Sequence, residues 1–274
     1  MTYGTSHIFS IQLDLYFYVL IFFSTLASYS LHWYFTSVGL PIENSGIMNE
    51  NDKMTVENEI PELRLTWNSK YKQVLLLLFI ISLLVIGFVF LVKPQWMLFF
   101  IPTAIATLIY TAPKLPIPAF KKLEGRALAK TFYLTAIWVY VTSILPIQVS
   151  AIEINKMMIY YIICQFLFVY LICLLFDYRD HKKDNFNFIL INTNKHFSKL
   201  FQFISAAFLL LLAVFYIISS NFSISIAFLF SFLAVYLSLK KSISTHSDYW
   251  YYFVLDGCMM LPALIYFVLL LFNK

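Results

Sequence analysis

The chain has 274 residues, of which 61% are hydrophobic, 19% aromatic and only 12% charged, and its mean hydropathy is +0.79. A soluble domain carries about 25% charged residues, so this composition excludes an ordinary water-soluble protein. The net charge of +5 reflects basic loops and does not indicate a nucleic-acid partner. The hydrophobic residues lie in long runs without the alternation of barrel strands, and about 20 apolar residues in a helix cross a bilayer. We therefore predict an all-α bundle of membrane-spanning helices.

Eight apolar runs are predicted as spans, and together they would form a single domain over residues 1–274. No lysine or arginine precedes the first run, so the basic segment of a cleavable signal peptide is missing. The connections Lys93-Pro94 and Ser219–Asn221 are so short that each must join antiparallel neighbours. The predicted spans are Ile8–Phe35, Val74–Val92, Gln95–Ala112, Ala127–Ile147, Met157–Phe176, Leu200–Ile218, Phe222–Leu239 and Tyr249–Phe272.

The basic residues predict the orientation in the membrane. Sixteen of the 19 lysines and arginines lie in or beside the loops after the odd-numbered spans, and only Lys93, Lys156 and Lys274 lie on the opposite side. Cytoplasmic loops carry the excess of basic residues. We therefore expect the odd-numbered loops in the cytoplasm and both termini outside, with the protein in a bacterial cell membrane.

The longest loop, at about residues 39–71, is polar and acidic in its middle. It is too short to form its own core. Two interpretations are open: a solvated and partly disordered cytoplasmic loop, or a lid over a cytoplasmic site.

Four polar or reactive residues lie within apolar runs. Cys164, Cys173 and Cys258 show no metal-ligand spacing, and we interpret them as small buried hydrophobic residues. Asp256 lies eight residues into the last predicted span, where a carboxylate is costly and normally faces a cavity or a partner. Asp256 is therefore either a site residue or a structural residue bonded to a neighbouring helix.

Three carboxylates follow one another where the fifth predicted span ends. Asp177, Asp180 and Asp184 stand at i, i+3 and i+7, which places them within about 60° of one another on a helix. Like charges on one face repel. A divalent cation offsets that repulsion, and Mg²⁺ usually binds one or two carboxylates together with substrate phosphate. The alternative is a solvated helix end in which Arg179, Lys182 and Lys183 balance the acids.

The segment DYRDHKKD, from Asp177 to Asp184, fits the DxxDxxxD pattern of the UbiA superfamily of intramembrane prenyltransferases, which the chain resembles. The segment from Tyr249 to Asp256-Gly257 is similar to the last helix of some bacterial members. Between the third and fourth spans, family members have a tyrosine, a Pro-Leu pair, a basic residue with a glycine, a lysine, a tryptophan and a proline, in that order. This chain has a similar order of residues: Tyr110, Pro113, Pro116, Lys122, Gly125, Lys130, Trp138 and Pro146.

The chain departs from the family pattern in two places. Members have nine helices and carry the aspartate motif on the sixth, whereas eight are predicted here with the motif on the fifth, so the first helix would be missing. The family's other motif, NDxxD, should close the first span. In this chain Leu31 and Tyr34 stand where its aspartates are expected, which removes the carboxylates of one of the two usual Mg²⁺ sites.

The resemblance implies a UbiA-like bundle around a central cavity and Mg²⁺-dependent transfer of a polyprenyl group. The donor would be a polyprenyl diphosphate, and the acceptor an aromatic molecule of the kind used in quinone biosynthesis. Asp177, Asp180 and Asp184 would be the metal-binding and catalytic residues. The substrate-binding residues would be Tyr110, Lys122, Arg126, Lys130, Arg179 and Asp256.

Other interpretations stay open for these residues and for the whole chain. The basic cluster in the third-to-fourth connection either binds diphosphate or only marks the cytoplasmic side. The protein is either an enzyme or a non-catalytic relative that binds an isoprenoid or a protein partner. A small transporter is the third alternative. Asp256 favours it, whereas the lack of paired helices broken by glycine or proline argues against it.

Overall fold

The structure, a computed structural model, describes residues 1–38, 70–111, 127–184, 194–244 and 250–272. These residues are helical nearly throughout and contain no strand, which confirms the all-α prediction for this part of the chain. They group into a larger unit, formed by Met1–Leu13 and Arg126–Lys274, and a smaller unit, Asp14–Gly125. The single UbiA-like domain stays a prediction, and the polar loop at 39–71 lies almost entirely outside the described residues.

The helices alternate with short irregular turns. A 3₁₀ turn covers Pro94–Trp96, and π-helical turns cover Tyr140–Ile144 and Trp250–Leu255. The α-helices are α1 (Thr2–Ile8), α2 (Leu15–Val38), α3 (Lys72–Val92), α4 (Met97–Thr111), α5 (Ala127–Val139), α6 (Leu145–Val149), α7 (Lys156–Asp184), α8 (Asn194–Ser219), α9 (Phe222–Ser244), α10 (Asp256–Cys258) and α11 (Leu261–Phe272).

Six segments of the described chain are long and apolar enough to cross a membrane, as expected of a multi-pass membrane protein. Each overlaps one of the eight predicted spans. The third and eighth predicted spans fall on the shorter apolar helices Pro94–Ile109 and Leu261–Phe272, so their crossing stays a prediction. The six are Leu15–Phe35, Lys72–Val92, Thr131–Val149, Lys156–Tyr178, His196–Ser219 and Phe222–Ser242.

The first long helix begins later than predicted, at Leu15 instead of Ile8. Helix α1 ends at Ile8, and Ser10 then takes a left-handed backbone conformation with φ 53°. The Asp14 carboxylate accepts a hydrogen bond from the Tyr16 backbone N–H at 3.2 Å, as a helix N-cap does. Apolar residues alternate with Ser10, Gln12 and Asp14 here, and the stretch stays hydrophobic enough on average to have been included in the predicted span.

The smaller unit is built on the packing of α2 against α3. The ring of Phe17, which is fully buried, lies edge-on to Trp96 at 5.9 Å and to Phe100 at 6.3 Å. Lys93, in the turn after α3, forms an ion pair of 2.8 Å with Asp14 at the start of α2. The beginning of α2 and the end of α3 therefore lie side by side, so these two helices run antiparallel.

We expect Asp14→Asn to remove an acid-sensitive contribution to the stability of the smaller unit. The hydrogen bond from Lys93 lowers the pKa of Asp14 below its usual value of 3.8. Because the folded pKa is depressed, the stabilisation is present above pH 3.8 and is lost as the pH falls through the lower folded value. In detergent, the thermal midpoint should fall more steeply in the wild type than in the variant as the pH is lowered from 3.8. An equal fall of the thermal midpoint with pH in the two proteins would contradict this role of Asp14. The effect should be small, because the pair is exposed.

The core of the larger unit lies around the middle of α7, which is fully or almost fully buried from Phe168 to Leu175 except at Tyr170. Helices α5, α8 and α9 pack against it. Phe168 of α7, Phe208 of α8 and Phe228 of α9 are all buried, and their ring centroids lie 6.1 to 6.3 Å apart. These three rings join the three helices at one level.

A polar network also holds α7 against the π turn before α6. The amide of Gln165 is buried in the middle of α7, where an unbonded polar group is costly. It accepts a hydrogen bond from the Ser143 hydroxyl at 2.7 Å and donates one to Thr142 Oγ1 at 3.0 Å. Pro146 has no N–H to donate to the Thr142 carbonyl, and this missing helical bond accounts for the π turn at this place.

The last predicted span is not one continuous helix. A π turn and the short helix α10 come first, and α11 begins only at Leu261. Pro262 cannot donate to the carbonyl of Cys258, so the regular helical bonding is interrupted there. Asp256 consequently lies at the start of α10, between two irregular segments, rather than inside a regular helix.

Candidate functional site

Helix α7 continues beyond the predicted end of its span at Phe176 and ends at Asp184. Asp177, Asp180 and Asp184 therefore belong to one helix, and their spacing places the three positions on one side of it. The side chains of Arg179, Asp180 and Asp184 lie outside the described part of the structure. Of the three acids, Asp177 is the one whose surroundings are defined.

The backbone around Asp177 is held by aromatic contacts on either side. The Tyr178 ring is buried and stacks on Phe197 at the start of α8, with a centroid distance of 4.3 Å. The Phe176 ring meets Tyr251 at 5.6 Å. Asp177 itself is half-buried, and one of its carboxylate oxygens has no contact with solvent. The turn of α7 that carries Asp177 is thus a fixed position at which a carboxylate is only partly hydrated.

Asp177 and Asp256 share one neighbour, Cys173. The thiol of Cys173, one turn before Asp177 on α7, lies within electrostatic range of both carboxylates and beside the Thr135 hydroxyl of α5. The phenol of Tyr170 also lies within range of the Asp177 charge. Side chains of α5 and α10 therefore lie near Cys173 of α7.

The π turn that leads to Asp256 is attached to the end of α9. The Tyr251 hydroxyl, which is buried, donates a hydrogen bond to the Ser242 carbonyl, and Trp250 Nε1 donates one to the Ser242 hydroxyl at 3.0 Å. The Lys241 ammonium lies 4.1 Å from the Trp250 ring centroid. The sequence motifs did not include these residues. Their signal was a tryptophan and tyrosines next to a lysine-rich helix end, a combination common at membrane interfaces.

The remaining predicted site residues are described only in part. Lys122 and Arg126 lie outside the described residues. Lys130 is in the first turn of α5 and Tyr110 is near the end of α4, but neither side chain is described. Asp177 and Asp256 are therefore the predicted site residues for which the structure gives a side-chain environment.

A metal site can be assessed only for the side chains that the structure describes. Among these, no group of three or more histidine, cysteine, aspartate or glutamate side chains is placed to hold an ion. That set does not include Asp180 and Asp184. The acids spaced along α7 are oxygen donors of the type that Mg²⁺ prefers, so the chemistry of the residues fits the ion and the site stays a prediction.

No protein-family model, no curated protein and no solved structure matches this chain. The relationship to the UbiA superfamily accordingly stays an interpretation that depends on the motif residues.

Proposed function

We propose that this chain is a UbiA-like intramembrane prenyltransferase. It transfers a polyprenyl group from a polyprenyl diphosphate to an aromatic acceptor, in the cell membrane of a bacterium and with the aspartate motif on the cytoplasmic side. One observation supports this above the others: α7 stays helical from its membrane-spanning part through Asp184. Three carboxylates in helical register at the end of a transmembrane helix are suited to a cation and a diphosphate at the membrane surface.

The proposed site residues have three roles. Asp177, Asp180 and Asp184 would hold Mg²⁺, which when bound supplies the positive charge that stabilises a departing diphosphate. The basic side chains would bind the diphosphate oxygens directly, and the remaining two residues would contact the substrates. These residues are Lys122, Arg126, Lys130 and Arg179 for the diphosphate, and Tyr110 and Asp256 for the substrates.

The proposed reaction breaks the C–O bond between the prenyl group and the diphosphate, which leaves with the bonding electrons. The electron-rich acceptor attacks the allylic carbon, forms the new bond and then loses a proton. Water competes with the acceptor for the allylic carbon. A partly desolvated turn of α7 around Asp177 therefore suits the reaction better than an open surface.

Each alternative function also has one observation in its favour. A non-catalytic isoprenoid-binding relative is favoured by the first span, where α2 continues as a helix past Leu31 and Tyr34 with no carboxylate in that stretch. A small transporter is favoured by the break beside Asp256, because transporter sites often lie at interrupted helices. The hydrophobic pattern of the last span did not predict this break.

Incubation of the purified protein with labelled polyprenyl diphosphates, Mg²⁺ and a set of aromatic acceptors tests the proposal. We expect Mg²⁺-dependent release of diphosphate together with a prenylated acceptor. Tight binding of the donor without release would favour the non-catalytic relative. If neither binding nor release occurs with any chain length, the prenyltransferase proposal fails.

A further inference from the structure

The N-terminal segment Met1–Leu13 is packed into the larger unit rather than lying on its surface. Thr5 is fully buried, and its hydroxyl shares a hydrogen bond of 3.2 Å with the Tyr161 hydroxyl of α7. Phe9 meets the Tyr161 ring edge-on at 5.1 Å. Ile11 is buried together with Ile147 and Met158. One side of the segment thus covers the start of α7 and the end of α6.

The other side of the segment packs against α11. A Cβ atom on Gly4 would lie 2.7 Å from the Cβ of Ala263, so no larger residue fits there without a shift of the backbone. The His7 ring meets Tyr266 at 6.0 Å and Phe267 at 5.1 Å. Helix α1 is therefore wedged between α7 and α11.

These contacts lie at the end of the unit opposite the aspartate motif. Tyr161 and Asp177 are sixteen positions apart on α7, which corresponds to about 24 Å along the helix. Cys164 lies one turn deeper than Tyr161, is completely buried and is within electrostatic range of the Tyr161 phenol. Tyr161, which the segment covers, consequently lies between Cys164 and the nearer end of α7.

We propose that Met1–Leu13 is a plug that closes this end of the larger unit to water. A helix of seven residues is not stable by itself, so α1 owes its position to the contacts with α7 and α11. Its buried hydroxyls are bonded, Thr5 to Tyr161 and Ser6 to the Tyr3 carbonyl, so the plug adds no unsatisfied polar group to the interior. This inference stands apart from the proposed function, because it concerns the opposite end of α7.

The natural cysteines report whether the plug is in place. In a Cys173→Ala/Cys258→Ala background, Cys164 is the single thiol. We expect a membrane-impermeant thiol reagent to modify it at least about tenfold faster when Gly4→Leu is added, since displacing α1 opens a path to water. Gly87→Leu is the matched control, because a Cβ on Gly87 meets nothing within 4 Å. Protection of Cys164 that is unchanged by Gly4→Leu would overturn the proposal.

Two further measurements separate a displaced plug from general unfolding. The milder Gly4→Ala should also expose Cys164, and adding Ala263→Gly should restore protection, because it removes the atom that the new Cβ would strike. With Cys173 as the single thiol, nine residues further along α7 than Cys164, Gly4→Leu should leave the modification rate unchanged. An equal rise at Cys164 and Cys173, or no restoration by Ala263→Gly, would overturn the proposal.

Discussion

Asp177→Asn should abolish Mg²⁺-dependent binding of a prenyl diphosphate, and Asp184→Asn should weaken it less. One oxygen of Asp177 has no contact with solvent, whereas Asp184 lies about 10 Å further along α7 from the end of the membrane-spanning part. A poorly hydrated carboxylate is stabilised most by a bound cation, so its removal should cost the most metal affinity. This prediction depends on the proposed function.

Titration of Mg²⁺ at a fixed concentration of labelled prenyl diphosphate measures both effects. We expect Asp177→Asn to lose more than the roughly 100-fold that supporting residues cost at a metal site, and Asp184→Asn to lose about tenfold. Lys130→Ala should weaken diphosphate binding with little change in the Mg²⁺ dependence, since an ammonium is not a metal ligand. Asp14→Asn, which alters a carboxylate of the smaller unit, is the control and should leave the Mg²⁺ dependence of binding unchanged. Equal losses for Asp177→Asn and Asp184→Asn would contradict the hydration argument.

The sequence predicted the positions of the long helices well because the bilayer imposes a length of apolar residues. It predicted their ends poorly. The predicted span included the break between Ser10 and Asp14 because the apolar residues around it keep this stretch hydrophobic on average, although an aspartate at a helix start was a usable signal. The end of α7 was also predicted too early, at Phe176, because a helix does not have to end where its apolar residues do.

The sequence predicted the part of the candidate site that lies on one helix, but not the part that depends on packing between helices. The spacing of Asp177, Asp180 and Asp184 is a property of one helix and can be read from the sequence. The position of Asp256 near Cys173 depends on a π turn fixed by Tyr251 and Ser242, and on the contact of α10 with α9. No periodicity in the sequence contains that information. The packing of Met1–Leu13 against α7 and α11 is hidden in the same way, because it joins residues far apart in the chain.

Phe208→Ala should destabilise the larger unit by about 2 kcal/mol. In a soluble protein this change costs about 3–5 kcal/mol, partly because a buried ring is returned to water on unfolding. In a membrane the separated helices keep their rings in lipid, so the free-energy cost of exposing a ring to water does not arise. The cost of the lost packing remains. A cavity of roughly 100 Å³ at about 24 cal/mol per Å³ gives a cost near 2 kcal/mol.

Unfolding in mixed micelles by increasing amounts of a denaturing detergent measures this difference, with Phe203→Ala as the matched control. Both residues lie on α8, but Phe208 is fully buried and Phe203 is 74% exposed, so the control should change stability by less than about 0.5 kcal/mol. Phe168→Ala combined with Phe208→Ala should cost less than the sum of the single changes, since the two rings are 6.3 Å apart and leave one shared cavity. Strict additivity would show that the two cavities are separate, and equal effects of Phe203→Ala and Phe208→Ala would show that α8 does not pack against α7 through Phe208.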